Sequence, residues 1–193
     1  MKSENTLQSP FLQMLDTQLG EVMAQVAQQF EGLSVEQFNW KPSPQSWSIA
    51  ECMQHLLVVY SHYQPQLPQQ ITPHALKNTD NEAPRSRFMG RLFKRFVNPD
   101  KFRKVPALKS LQPARSEYPL SLRERYLDYL AEVRTFMQKA DALQLHLNKI
   151  KIHSSVSKLI RFNLGDYFEV ETMHNRRHLA QMKRVMEQTG FPH

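Results

Sequence analysis

The sequence predicts an all-α protein: a four-helix bundle with a long basic insertion between its second and third helices. Three observations predict it. Glycine is scarce, five in 193 residues, and four stretches repeat apolar residues at the three- and four-residue steps of a buried helix face. The prolines between the second and third stretches leave no room for a long helix there.

The first helix starts at Ser9-Pro10, a capping residue followed by proline at the first helical position. Phe11, Leu15, Leu19, Val22, Val26 and Phe30 form its stripe, and Gly32 supplies a C-terminal stop. A polar stretch with Pro42 and Pro44 follows, carrying Trp40 and Trp47. The second helix opens on Ser48 and Glu51, a capping box in which hydroxyl and carboxylate each take an orphan backbone N–H. Ile49, Cys52, Leu56, Val59 and Tyr63 mark its apolar face, and Pro65 and Pro68 weaken its end.

Between about Ile71 and Pro119, six prolines leave one short helical candidate, Arg87 to Val97. The third helix begins at Ser121, with Glu124 placed to complete a second capping box, and carries Leu122, Tyr126, Leu130, Val133 and Met137 inward. Around Ile150 and Ile152, alternation with lysines marks a short extended piece. The fourth helix runs from about Asn163 to Thr189, with Leu164, Phe168, Val170 and Met173 inward and Gly190 and Pro192 ending it. The second-to-third connection is far longer than an ordinary helix–helix loop. It can cross the bundle, so the two helices it joins can run parallel. The whole chain, 1–193, reads as one domain with the insertion at about 71–119.

One cysteine, Cys52, excludes an internal disulfide framework. The polar start shows no secretory signal, and no uncharged apolar run is long enough to span a bilayer. A cytoplasmic protein is expected. The net charge of +7 is local: Arg85 to Arg115 holds ten Lys/Arg against Asp100, a sum of +9, so the rest of the chain carries −2. No nucleic-acid reading motif accompanies that charge. In 87–97, Phe88, Leu92, Phe93 and Phe96 form an apolar stripe beside Arg91, Lys94 and Arg95. The plain reading is a solvated helix packed on the bundle; a lid or anion collector, and a membrane contact, are the other two.

His174 and His178 stand one turn apart on one helix face, close enough for two imidazoles to reach one ion. Spacing alone leaves an incidental surface pair equally open. His55 borders the apolar face of the second helix, where a lone histidine is more often a satisfied, partly buried residue. Residues 47–51, Trp-Ser-Ile-Ala-Glu, followed by His55-Leu56, and the run His174-Asn175-Arg176-Arg177-His178-Leu179-Ala180-Gln181, together resemble the DinB/YfiT-like family. Its signature is a Trp-Ser helix start with a histidine about seven residues on, then H-x-x-R-H-x-x-Q in the last helix. The approach from Trp40 to Pro44 and the stretch from Lys104 to Pro113 are also similar to its longer members.

The resemblance implies a DinB-like four-helix bundle holding one divalent ion, Ni²⁺ or Zn²⁺, through His55, His174 and His178. It implies a metalloenzyme, a small-thiol-dependent S-transferase or a hydrolase, with a bound water or a low-molecular-weight thiol (bacillithiol or mycothiol in some members) as the reactive species. Homodimerisation is a family-level expectation. The alternative is a non-enzymatic metal-binding or stress-response protein whose basic insertion serves a partner or an anion. Around the histidines, Glu171 is the candidate for orienting a ligand, having no competing duty in the sequence. Glu51 is read as a cap, Cys52 as buried filler and His62 as a surface residue. Arg177 is expected in bundle ion pairs, Gln181 in a bond to a neighbouring helix or loop, and Tyr60 and Tyr63 in packing.

Overall fold

The computed structural model describes residues 7–100 and 106–192; Lys101, Arg103, Lys104 and Val105 of the basic run lie outside them. Among the described residues seven helices follow in order: α1 (Pro10–Gln29), α2 (Val35–Asn39), α3 (Ile49–Ser61), α4 (Leu67–Gln70), α5 (Phe88–Val97), α6 (Leu122–Ala142) and α7 (Leu164–Met186). A 3-10 turn, Lys109–Leu111, precedes α6, and a two-stranded antiparallel ribbon, β1 (Lys151–His153) and β2 (Arg161–Asn163), precedes α7. The fold is all-α apart from that ribbon. No helix of the described residues is long and apolar enough to cross a membrane.

The long helices are α1, α3, α6 and α7. Each of α1 and α3 packs against both α6 and α7, which places α1 opposite α3 and α6 opposite α7. Cross-helix pairs give the directions. Arg134 of α6 bonds Asp16 of α1 while Asp141 accepts from the backbone N–H groups of Gln8 and Ser9, so α1 and α6 are antiparallel. Gln18 meets Arg176 and Gln25 meets Lys183, so α1 and α7 are parallel. Tyr60 of α3 packs on Tyr129 of α6, and Gln64, further on, meets Glu132; α3 and α6 are therefore parallel, as the long connection between them allows.

Local chemistry sets most helix starts. Ser9 caps α1, and the Ser48–Glu51 capping box closes on α3 with bonds of 2.9 and 3.0 Å. Asn163 caps α7 by accepting from the Asp166 N–H at 2.6 Å. A further box, Ser34 with Gln37, starts the short α2 inside the stretch that reads only as a polar linker. Two expectations fail. Ser121 is in helical conformation and makes no side-chain cap, because Leu122 and Arg123 instead donate to the carbonyls of Pro119 and Leu120 in a leading turn. Gly32 is not a left-handed stop: α1 ends at Gln29, the N–H of its C-cap Phe30 still donates to Val26, and positive φ among the described glycines occurs at Gly190.

The connection from α4 to α6 has a directed course. Asp166 near the start of α7 accepts from the Ser86 hydroxyl and from the Arg87 N–H, Lys94 pairs with Glu169 at 2.7 Å, and the Asn98 carbonyl accepts from Arg177. Thus α5 climbs the outer side of α7 in the same direction. The apolar stripe read from the sequence is split by this seat. Phe93 turns in, its ring 4.8 Å from that of Phe162, whereas Phe88 is 69% and Phe96 48% exposed. Gly90 supplies the close approach, since a Cβ there would collide with the Asp166 carboxylate.

Candidate metal centre

The antiparallel pair α3 and α7 brings together residues 119 and 123 positions apart in sequence. His55 projects from the second turn of α3, a helix whose start is fixed by Ser48 and Glu51. His174 and His178 project from consecutive turns of α7. Nε2 of His174 lies 3.3 Å from Nε2 of His55 and 3.1 Å from Nε2 of His178. One ligand atom from each of the three lies within 4.8 Å of the others. His55 and His178 are buried, and His174, half-buried, is the member nearest solvent.

The other ring nitrogen of His55 fixes its tautomer. Nδ1 lies 2.6 Å from the carbonyl oxygen of Leu111, which can only accept. Nδ1 therefore carries the proton, and Nε2 presents a lone pair to the other two rings. With all three rings neutral, the two short contacts at His174 cannot both be hydrogen bonds. A protonated Nε2 on His174 serves one neighbour only, and an unprotonated one faces the lone pair of His55. A cation among the three nitrogens resolves the conflict. Two nitrogens bonded to one ion at about 2.0–2.1 Å stand roughly 2.9–3.4 Å apart for octahedral to tetrahedral angles, and both observed separations fall in that interval. The donor set fits a divalent metal.

Electrostatics agree with neutral ligands. Burial holds His55 below the usual histidine range, against the opposing pull of the Leu111 carbonyl. It holds His174 and His178 well below, with further lowering from the neighbouring rings and the Arg177 guanidinium. Gln181, beside His178, works weakly the other way. His178 Nδ1 is buried without a hydrogen bond of ordinary geometry.

Trp47 forms the wall of the site. Its indole stacks on His178 with centroids 5.9 Å apart and planes at 21°, and tilts over His55 at 4.8 Å. Sequence reasoning noted Trp47 within the motif and gave it no role; its place directly before the Ser48 cap was the available signal. The Leu111 carbonyl was missed, being a main-chain group that any residue there supplies.

The surrounding candidates divide. Glu51 is a cap, with Lys41 as a second partner at 3.1 Å. Cys52 is fully buried, and burial pushes its thiol far up. His62 is exposed, and Tyr60 and Tyr63 are buried in ring contacts. Glu171 does not orient a ligand by any hydrogen bond described. Its carboxyl is engaged by the Tyr129 hydroxyl and the Asn175 amide, while Tyr126 donates to Asn175 at 2.7 Å. The competing duty is a tyrosine pair on α6, invisible in the spacing of α7 alone. Burial raises the Glu171 carboxyl to about 7, against the lowering effect of Tyr129 and Asn175.

The chain is similar to the uncharacterized protein YuaE of Bacillus subtilis (strain 168), 27% identical over 159 residues, which is 82% of this chain and 89% of that protein. No solved structure matches it. The family model of the DinB superfamily matches residues 18–182, a span that includes all three histidines, and the chain belongs to that superfamily.

Proposed function

We propose that the protein is a metal-dependent enzyme, with one divalent ion (Ni²⁺ or Zn²⁺) held by Nε2 of His55, His174 and His178. The carrying observation is the convergence of these nitrogens at 3.1 and 3.3 Å with the His55 tautomer locked by Leu111. Three protein ligands argue for catalysis over structure, because structural zinc is normally closed by four. When bound, the ion supplies Lewis acidity toward a small substrate's oxygen or sulfur, suiting a small-thiol-dependent S-transferase or a hydrolase.

The protein's own residues prepare that chemistry. Leu111 and burial keep the imidazoles in the form that binds metal. Trp47 covers one side of the centre and excludes water from His55 and His178. His174, the least buried ligand, marks the side from which a substrate approaches. Arg177, whose charge reaches His174 and His178, favours an anionic substrate such as a thiolate.

Metal titration followed by turnover assays tests this reading. Stoichiometric Ni²⁺ or Zn²⁺, with activity on thiol-transfer or ester and amide substrates that His55→Ala abolishes, is the expected result. Stoichiometric metal without turnover on broad panels would return the protein to a non-enzymatic metal-binding role.

A further inference from the structure

We propose that α5 is a docking ridge for anionic lipid surfaces. One half of this helix is committed to the protein: Met89 and Phe93 pack against the core, Gly90 sits against Asp166, and Lys94 pairs with Glu169. The other half carries two adjacent rows, each at four-residue steps. One is Phe88, Leu92 and Phe96; the other is Arg87, Arg91 and Arg95. Phe88 is 69% and Phe96 48% exposed, Leu92 is half-buried, and all three arginines are exposed.

A solvated helix face ordinarily mixes charges of both signs and keeps large aromatics few. Here the helix holds no acidic residue. None of the three guanidinium groups meets a carboxylate among the described residues; Arg91 donates to the Ser86 carbonyl at 2.7 Å, which leaves its charge uncompensated. The surrounding segment, 85–115, has one acid against ten bases.

The shape decides the kind of partner. Because α5 packs on the outside of α7 and on β2, its other half faces away from the bundle among the described residues. A fluid interface accepts such a ridge: apolar side chains enter the acyl boundary while a parallel cationic row meets anionic headgroups. The anchors at Asp166, Glu169 and Arg177 hold the ridge in place beforehand, so docking orders no new helix.

Co-sedimentation of the full chain with vesicles tests the proposal, using phosphatidylcholine alone and roughly 7:3 phosphatidylcholine:phosphatidylserine. The wild type is expected to partition at least about tenfold more strongly onto the anionic vesicles, and less so at about 0.5 M than at about 0.1 M salt. Phe88→Ser with Phe96→Ser, and separately Arg91→Glu with Arg95→Glu, each lower that partition at least about tenfold. Far-ultraviolet circular dichroism and metal stoichiometry remain those of the wild type, since these side chains face outward. A wild type that stays in the supernatant overturns the proposal. So does a phenylalanine variant that binds like the wild type, which leaves charge alone. Loss of a wild-type dimer in the phenylalanine variant, seen by sedimentation velocity, assigns the ridge to a second copy of the chain and also overturns it.

Discussion

Nδ1 of His55 donates to the carbonyl oxygen of Leu111 across 2.6 Å, joining α3 to a turn 56 residues further along the chain. The long connection thereby takes part in the centre: it climbs α7 as α5 and then presents a main-chain acceptor to a ring that two helices alone leave unoriented. Leu111 itself is buried. Leu111→Ala should cost about 2–3 kcal/mol of stability by cavity formation. It should also lower metal affinity about tenfold, the size usual when a group orienting a ligand is disturbed. Calorimetric metal titration beside urea unfolding reads both; unaltered affinity in a destabilised variant would make the Leu111 contact structural only.

Removal of any one ligand ring should abolish stoichiometric binding. His55→Ala, His174→Ala and His178→Ala are each expected to lose at least about 100-fold in Ni²⁺ or Zn²⁺ affinity, and with it the metal's contribution to folding. For the wild type that contribution is about 2.7 kcal/mol at free metal 100 times Kd. Thermal melts with and without chelator measure it. A chelator-sensitive melting temperature in His174→Ala equal to that of the wild type would place the metal elsewhere.

Trp47 reports occupancy directly, because its indole lies against two of the ligand rings while Trp40, the other tryptophan, packs edge-on against Phe191. Ni²⁺ should quench the intrinsic emission in proportion to occupancy, and Trp47→Phe should remove most of that response while leaving binding measurable by calorimetry. A full quench in Trp47→Phe would mean the ion approaches Trp40.

Much of this was legible in the sequence, and the remainder has identifiable reasons. Apolar periodicity located the four long helices, and the Ser48–Glu51 and Ser9 caps placed two starts correctly, because these are local interactions between neighbours in the chain. Ser121 misled for the same local reason: Ser-x-x-Glu matches a capping box, yet Pro119 and Leu120 supply carbonyls that make the box unnecessary. The site divides likewise. His174 and His178 share a helix face and can be paired from spacing. Their convergence with His55 depends on two helices lying antiparallel, which the motif resemblance conveys and periodicity does not. Glu171 is a candidate in the sequence because nothing near it in the chain competes for its carboxyl; the Tyr129 hydroxyl that engages it sits 42 residues away on α6.

Acid stability of the metal-free protein should reflect two opposed groups. Burial lowers the three ligand imidazoles from 6.5, so they bind fewer protons folded than unfolded. Their contribution is complete above about pH 6.5 and is lost as pH falls toward the depressed folded values. Glu171 has the reverse sign. Raised from 4.5 to about 7, it contributes fully below pH 4.5 and loses that contribution as pH rises through 7. Between pH 6.5 and 4.5, acidification weakens the histidine contribution while restoring that of Glu171. Glu171→Gln removes only the second, so its stability should fall more steeply with acid, by at most about 1.4 kcal/mol per pH unit. Urea midpoints in chelator from pH 7.5 to 5 give the slopes; parallel slopes would mean Glu171 titrates normally.

Gly90 offers a prediction whose sign carries the argument. Alanine is a better helix former than glycine by about 1 kcal/mol, so Gly90→Ala in α5 should stabilise the helix if propensity governs. A Cβ at this position, however, falls on the Asp166 carboxylate, which is held in place by accepting from Ser86 Oγ and the Arg87 N–H. Displacing it costs about 1–3 kcal/mol in overpacking, with the bonds to the start of α5 weakened as well. Gly90→Ala should therefore destabilise the wild type. With Asp166→Ala already made, space is open and those side-chain bonds are gone, and the same substitution should become neutral or stabilising by up to about 1 kcal/mol. The double-mutant cycle from urea unfolding isolates this coupling. If Gly90→Ala has the same effect in both backgrounds, the seat of α5 on α7 does not depend on the Gly90–Asp166 contact.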